Sequence, residues 1–587
     1  MADGQAKVRP YLSPTLVLLA LDWPSGQSHP NFLGFAIRRA PGFSKGEKQG
    51  YLLNKIGFIP LGPASHPMPS NVAPIQKFLW WDSAINTEDR GKNFAYTVVP
   101  VLGTGPNDLQ LQEQAAQTVT VKIPRVVTDG IGTYFNRAVV SSQAFSREFP
   151  SGTMDIDKAM AWLANGLEDA IPGFLKGASA IEGAIYHLTD NEWVLPALKK
   201  MSAQGSLVYA FKPPKETVNE FAVTALKKTG IHFDPRSKPA IMHDKFLVKR
   251  QGGQPTGVLA GSANFTPEGL TSQANVLHTF ASPGLAALYA KRRALIAPDP
   301  TVAATAKNTG WSSPVKIGKT SIRVFFSPEP SGKRVSLDTV VAAVKAPTVQ
   351  SAVFCMFSPT DKPLLDALIA VGDKKKLLFG LLNSITDPSK KKKKGAEGNS
   401  GEPPKQPSPA AQVQVTIYNR SRKDKKVLPY AYFNPGTAPA GFLPELSSVD
   451  FSSKSIVPPP KPTKGKKPFV PAVHIHHKFI VLDAETAHPV IYTGSANFSK
   501  NSTNRNDENL LEIKGNPALA QTYLAEFMRL YEHYRARALY NLAHPKGKPA
   551  PGKKGQAFIL KRTRDQWVKG AYKPGTKEHL ARVNLSR

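Results

Sequence analysis

One short block occurs twice in this chain, and its repetition constrains the fold more than any other feature. IMHDKFLV is followed by GSANF in the first half, and HIHHKFIVLD is followed by GSANF in the second. His243 and Lys245 precede Ser262 and Asn264, His476 and Lys478 precede Ser495 and Asn497, and nineteen residues separate histidine from serine in both copies. A lone His-x-Lys on a strand carries no message, but matched spacing over two blocks implies two equivalent halves. Both blocks read as strands from their alternation and β-branched content. On a strand, residues i and i+2 share a face, so each histidine points the same way as its lysine. Brought together across a pseudo-twofold axis, the blocks supply two imidazoles, two ammonium groups and two Ser/Asn pairs of hydrogen-bond donors. Gly261 and Gly494 are expected in tight turns that let the backbone approach a phosphate.

Such a set can cleave a phosphodiester without a metal. Lysine ammoniums and Ser/Asn donors neutralise the oxygens as charge develops. A neutral imidazole attacks phosphorus and forms a phosphohistidine that water later resolves. A second, charged imidazole protonates the leaving oxygen, since histidine titrates near neutrality. His474 and His476 share a strand face, but no third ligand stands at suitable spacing. No metal or other cofactor is therefore expected.

The pattern resembles the phospholipase D superfamily, whose motif is His-x-Lys-x4-Asp, then Gly-Ser-x-Asn and an acidic residue. The second copy carries His476, Lys478, Asp483, Gly494, Ser495, Asn497 and, in NDENLL, Glu508. The first departs twice. Arg250 stands where Asp belongs, and setting SQANVL against NDENLL pairs Asn275 with Asn509 and leaves Ala274 opposite Glu508. The resemblance spans roughly residues 130 to 540. It implies an α/β fold of two tandem mixed-sheet repeats forming one catalytic unit, with both motifs facing one cleft. It also implies His243 as nucleophile and His476 as acid. Glu508 is expected beside His476, where a carboxylate fixes the tautomer and raises basicity; His243, facing Ala274 in this alignment, needs another partner. Asp483 reads as a strand end bonding backbone. The superfamily includes phospholipases, phosphatidyl transferases and nucleases, so the resemblance leaves the substrate open.

The net charge of +33 favours a polyanionic partner, nucleic acid first. The alternative is a phospholipase D that hydrolyses or exchanges phosphatidyl headgroups. A degenerate, non-enzymatic binder of anionic polymers is a third reading, opposed by the intact second motif. The single cysteine, Cys355, lies in the apolar run SAVFCMF and suits a reducing, cytoplasmic setting, without excluding secretion. TLVLLAL near the start reads as a strand rather than a leader, and no apolar run is long enough to span a bilayer. Both half-sites lie in one chain, so a monomer suffices.

The organisation expected is a β-rich, sandwich-like accessory module over 1–125, a first repeat over 126–315, a second over 316–540 and a basic tail over 541–587. IEGAIYHL and SAVFCMF each precede a helical stretch and are equivalent units. Their starts, Ile181 and Ser351, are 170 residues apart, whereas His243 and His476 are 233 apart. The excess requires insertions in the second repeat. The Lys/Pro-rich stretches 387–412 and 457–471 supply them, being too poor in apolar residues to bury a core.

Overall fold

The computed structural model describes residues 4–54, 56–59, 67–139, 145, 148–149, 155–201, 204–307, 309–383, 475–543, 559–568 and 570–587. Both expected insertions, 387–412 and 457–471, lie outside the described residues.

Two mixed sheets carry the duplicated blocks. The first runs Val127–Thr128, Ile131–Phe135, Val276–Phe280, Gln254–Gly261, Lys245–Gln251, Ala180–Ile185, Gln204–Ala210, Ile231–Arg236. The second runs Val315–Ile317, Thr320–Ser327, Glu508–Lys514, Val490–Gly494, Lys478–Leu482, Ser351–Met356, Leu377–Leu382. The order matches strand for strand, and the eighth strand of the first sheet has no counterpart among the described residues. In each half a parallel pair is joined through a helix, Val194–Lys200 in one and Lys362–Asp373 in the other. The central strands are apolar on both faces, as sheets covered by helices require.

The halves interlock. Tyr289, on the helix Pro283–Ile296, meets Phe246 edge-on at 4.9 Å and Phe326 of the second half at 5.0 Å. Tyr523, on the helix Pro517–Ala543, meets Phe479 at 4.9 Å and Phe135 of the first half at 5.0 Å. Each half thus lends one aromatic to the other's cluster, and both clusters belong to one core. A buried charge network adds a one-sided lock. Arg292 binds Asp244 of its own half at 3.3 Å and Asp507 of the other at 3.0 Å. Arg236 binds the second oxygen of Asp507 at 2.8 Å.

Residues 7–122 form the β-rich module: a three-stranded sheet of Lys7–Ser13, Leu16–Asp22 and Leu79–Asp82 facing a five-stranded one built on Phe32–Ala40 and Asn93–Leu102. Every residue of Leu16–Asp22 is buried. Val17, Leu19 and Leu21 point into the module's own core, whereas Leu16, Leu18 and Ala20 join the core shared by the two duplicated halves. That double burial explains an unbroken apolar run in a strand.

The basic tail expected over 541–587 is corrected for its last part. The helices Arg564–Val568 and Lys577–Ser586 pack back on the β-rich module. Trp567 donates from Nε1 to the Phe32 carbonyl at 2.8 Å, Tyr572 donates to the Trp23 carbonyl at 2.7 Å, and Arg582 pairs with buried Asp22. The lysine and arginine content masked a few large apolar anchors, each enough to fix a short helix.

Removing Arg292 leaves buried Asp244 without a cation and takes one of its two arginines from Asp507. Arg292→Met should cost about 3–5 kcal/mol in urea unfolding. Arg250→Ala, which breaks a half-exposed pair with Glu182, should cost under about 1 kcal/mol. Equal losses would contradict the role given to the buried network.

Candidate active site

Both His-x-Lys blocks begin the strand next to the one bearing Gly-Ser-x-Asn. Phe246 pairs with Ala260, and Phe479 with Thr493. The two histidine ring centroids lie 6.5 Å apart, and each residue is 6% exposed. Lys245 and Lys478 are buried, and each ammonium donates to the carbonyl of its own histidine, at 2.8 and 2.6 Å. The expected residues His243, Lys245, His476 and Lys478 therefore converge. Each lysine also sits over an aromatic ring, Tyr186 at 4.9 Å in the first half and Phe357 at 5.4 Å in the second. Both aromatics directly follow the strand that pairs with the block. Nothing in the sequence reading singled them out.

The partners of the histidines are exchanged between halves. His243 N donates to Asp507 O at 2.8 Å, and His476 N donates to Ala274 O at 3.0 Å. Each histidine thus docks on the backbone of the opposite repeat. The next residue in each opposite segment then faces the ring. Glu508 Oε2 lies 3.4 Å from His243 Nδ1, and Asn275 Oδ1 lies 3.0 Å from His476 Nδ1. This corrects the expectation that Glu508 serves His476. It also corrects the alignment: Asn275, not Ala274, is the counterpart of Glu508. Thirteen residues separate Ser262 from Asn275 and Ser495 from Glu508, a spacing that matching asparagine to asparagine obscured.

Glu508 is fixed through its other oxygen, which accepts from Ser502 Oγ and Asn506 Nδ2, both at 2.8 Å. Its Oε2 and His243 Nδ1 have no other partner and sit beyond good hydrogen-bond length; such contacts often tighten when substrate arrives. Asn275 Nδ2 donates to Gly269 O at 2.8 Å, which leaves its Oδ1 to accept from His476 and from Ser262 Oγ. An acceptor oxygen thus faces Nδ1 of each histidine, the arrangement that favours a proton there, and the Ser495 backbone also meets the His243 ring.

The two serines do less than expected. Ser262 Oγ accepts from Val276 N at 3.1 Å, Ser495 Oγ accepts from Asn509 N at 3.0 Å, and both serines are fully buried. They pin the start of the neighbouring strand rather than face a phosphate. Gly261 and Gly494 likewise serve the fold: a Cβ at either would collide with the carbonyl of Val276 or Asn509. Asn264 and Asn497 each hold a buried amide oxygen with no partner, at matched positions. Asp483 accepts from Gln350 N and Ser351 N at 2.7 and 2.9 Å and ends its strand as anticipated. His477 is packed against Phe135 and Phe479 at 5.5 and 5.2 Å. His474 lies outside the described residues. Among the described residues no cluster of His, Cys, Asp and Glu could hold a metal ion.

Burial sets the protonation states. It holds both His243 and His476 well below the ordinary imidazole range, and the two lysines push the same way. It raises Glu508 to about 7, against the pull of Asn506 and Lys245, and lowers Lys245 to about 7, against the pull of Glu508. Both imidazoles are therefore neutral near pH 7, and Glu508 is the carboxylate that interacts with the two lysines.

A family model described as "Cardiolipin synthase, PLD-like domain" matches residues 461–531. That match covers the second block, and it supports the resemblance of the duplicated block to the phospholipase D superfamily. No curated protein matches the chain. Among solved structures it is similar to phosphatidylserine synthase of Haemophilus influenzae (13% identity, 64% of this chain and 84% of that one, TM-score 0.40). It is also similar to yeast tyrosyl-DNA phosphodiesterase (11%, 59% and 84%, TM-score 0.33). A third similar structure is polyphosphate kinase of Porphyromonas gingivalis (11%, 62% and 45%, TM-score 0.34). The chain thus spans less than half of the polyphosphate kinase, and these likenesses carry no information on substrate.

The pH dependence follows from Glu508 and Lys245. On bis(p-nitrophenyl) phosphate, kcat/KM should fall as pH drops through about 7, because Glu508 takes up a proton and no longer holds the His243 Nδ1 proton. It should fall again as Lys245 deprotonates above about 7. Glu508→Gln should move the acid limb to lower pH and leave the alkaline limb in place. An unmoved acid limb would exclude Glu508 as its source.

Proposed function

We propose that this protein is a metal-independent phosphodiesterase working through a phosphohistidine, with nucleic acid as its favoured substrate. The observation that carries the reading is that Nδ1 of the two histidines faces chemically different partners, a carboxylate for His243 and an amide for His476. A carboxylate stabilises the positive charge that His243 acquires when its Nε2 lone pair bonds to phosphorus. An amide gives no such stabilisation, so a proton placed on His476 Nε2 is readily given up. His243 is therefore the nucleophile and His476 the acid. This keeps the roles that the family resemblance implies, on different grounds.

The steps balance as follows. The negative charge of the bound phosphate draws a proton from solvent onto His476 Nε2; His243 Nε2 then attacks phosphorus while the bond from phosphorus to the leaving oxygen breaks, and His476 Nε2 gives that oxygen this proton. Water then attacks phosphorus, loses a proton to His476, and the bond from phosphorus to nitrogen breaks. Lys245 and Lys478 hold the non-bridging oxygens, and the Nδ2 groups of Asn264 and Asn497 complete the cradle as donors. Glu508 and Asn275 are positioning residues. The expected domain plan, with 126–315 and 316–540 as the two repeats, is part of the same proposal; so is a cytoplasmic setting.

The net charge of +33 supports nucleic acid over phospholipid. No helix among the described residues is long and apolar enough to cross a membrane.

Activity on bis(p-nitrophenyl) phosphate should survive excess EDTA; loss on chelation with recovery on Mg²⁺ or Zn²⁺ would remove the mechanism. His243→Ala and His476→Ala should each lower kcat by roughly three orders of magnitude or more. Rapid quench and peptide mapping should recover the phosphoryl group on His243. Recovery on His476 would reverse the roles.

A further inference from the structure

The turn after each Gly-Ser-x-Asn block is the same in both halves, residue for residue. Thr266 and Ser499 cap a short helix by accepting from Gly269 N and Ser502 N, and the two turns end on Asn275 and Glu508. Equal spacing therefore pairs Pro267 with Lys500, and Ser272 with Arg505. The second-half turn carries two exposed cations where its twin carries none.

Those cations do not stand alone. Ala240 N donates to Arg505 O at 2.8 Å, which lays the segment leading to His243 along the turn. That segment brings Lys238, exposed. Asn504 Nδ2 donates to Lys333 O at 2.9 Å, which places the loop bearing exposed Lys333 on the other flank. Among the described residues the side chains of Lys238, Lys333, Lys500 and Arg505 form no ion pair, although the Lys238 amide donates to Asp299 and neighbouring Arg334 is neutralised by Asp338 and Asp361. A row of unpaired surface cations is costly through mutual repulsion and is relieved by an anion. The backbone that carries it runs directly into His243 and Glu508.

We propose that this one-sided wall binds the polyanionic arm of the substrate, so that the nucleic-acid strand lies on the His243 side of the scissile phosphate. The inference rests on the phosphodiesterase reading above and adds to it a direction. The strand is the arm retained on His243, and the group leaving toward His476 meets the twin turn, which carries Glu268 and no cation.

The test uses the full chain and the double variant Lys500→Ala/Arg505→Ala, whose two side chains are exposed and unpartnered, so its melting temperature should match the parent. Fluorescence anisotropy with a single-stranded oligonucleotide reads the wall without turnover. Affinity should fall on the order of tenfold at moderate salt, and the salt slope should decrease by about 0.7 per cation removed. Two diesters then read direction. In one the strand is retained and p-nitrophenolate leaves; in the other a methyl group is retained and the strand leaves through a 5′-sulfur. The variant should lose kcat/KM on the first, relative to bis(p-nitrophenyl) phosphate, and not on the second. Equal loss on both, or unchanged oligonucleotide affinity, would overturn the proposal while parental turnover of the small diester keeps the phosphodiesterase reading. Failure of the parent to turn over any diester would sink that reading, with anisotropy still deciding the wall. Binding of phosphatidylglycerol vesicles, lost in the variant, with no oligonucleotide binding, would assign the wall to a lipid surface and contradict the proposal.

Discussion

The active site depends on two backbone hydrogen bonds that cross between the repeats, His243 N to Asp507 O and His476 N to Ala274 O. They seat each histidine against the opposite repeat, so neither repeat holds a complete site. Everything nearer the chemistry follows from that exchange. It brings Glu508 to His243 and Asn275 to His476, places an acceptor oxygen at each Nδ1, and sets the rings 6.5 Å apart. The exchanged aromatics Phe326 and Phe135 and the bridging Arg292 act at the same interface. Packing and catalysis therefore share one joint, and loosening it should be felt in both.

The same logic extends to the chain ends. The strand Leu16–Asp22 is the seam between the β-rich module and the catalytic unit, buried on one face by each. The closing helix Lys577–Ser586 lies over that seam, where Tyr11 donates to the Leu585 carbonyl at 2.8 Å and Ala581 joins the core shared by the two duplicated halves. Two segments far apart in sequence thereby share the work of holding the module in place.

Much of this was legible in the sequence. The duplication gave two equivalent sheets, and alternation put each His-x-Lys pair on one face of a strand. TLVLLAL reads correctly as a strand. What was not legible is equally physical. Sequence periodicity describes one repeat at a time, whereas the contacts of His243 and His476 come from the other repeat. The serines looked like phosphate ligands because a hydroxyl is a donor anywhere; only burial shows that Ser262 and Ser495 are consumed by the neighbouring strand. The tail looked solvated because its charge is high, yet Trp567 and Tyr572 are enough to anchor it.

The asymmetry of the site is as informative as its symmetry. One histidine faces a carboxylate and the other an amide; one turn bears cations and its twin does not. A duplicated fold has thus been given two sides with different tasks. The exchange of partners is most directly tested by long-range ¹H–¹⁵N spectra of histidine-labelled protein, assigned through His243→Ala and His476→Ala. Both rings should appear as neutral Nδ1–H tautomers. Glu508→Gln should shift the His243 nitrogens and leave His476 unmoved, and Asn275→Ala should do the reverse. Perturbation of His476 by Glu508→Gln, with His243 unmoved, would contradict the cross-repeat pairing on which this site is built.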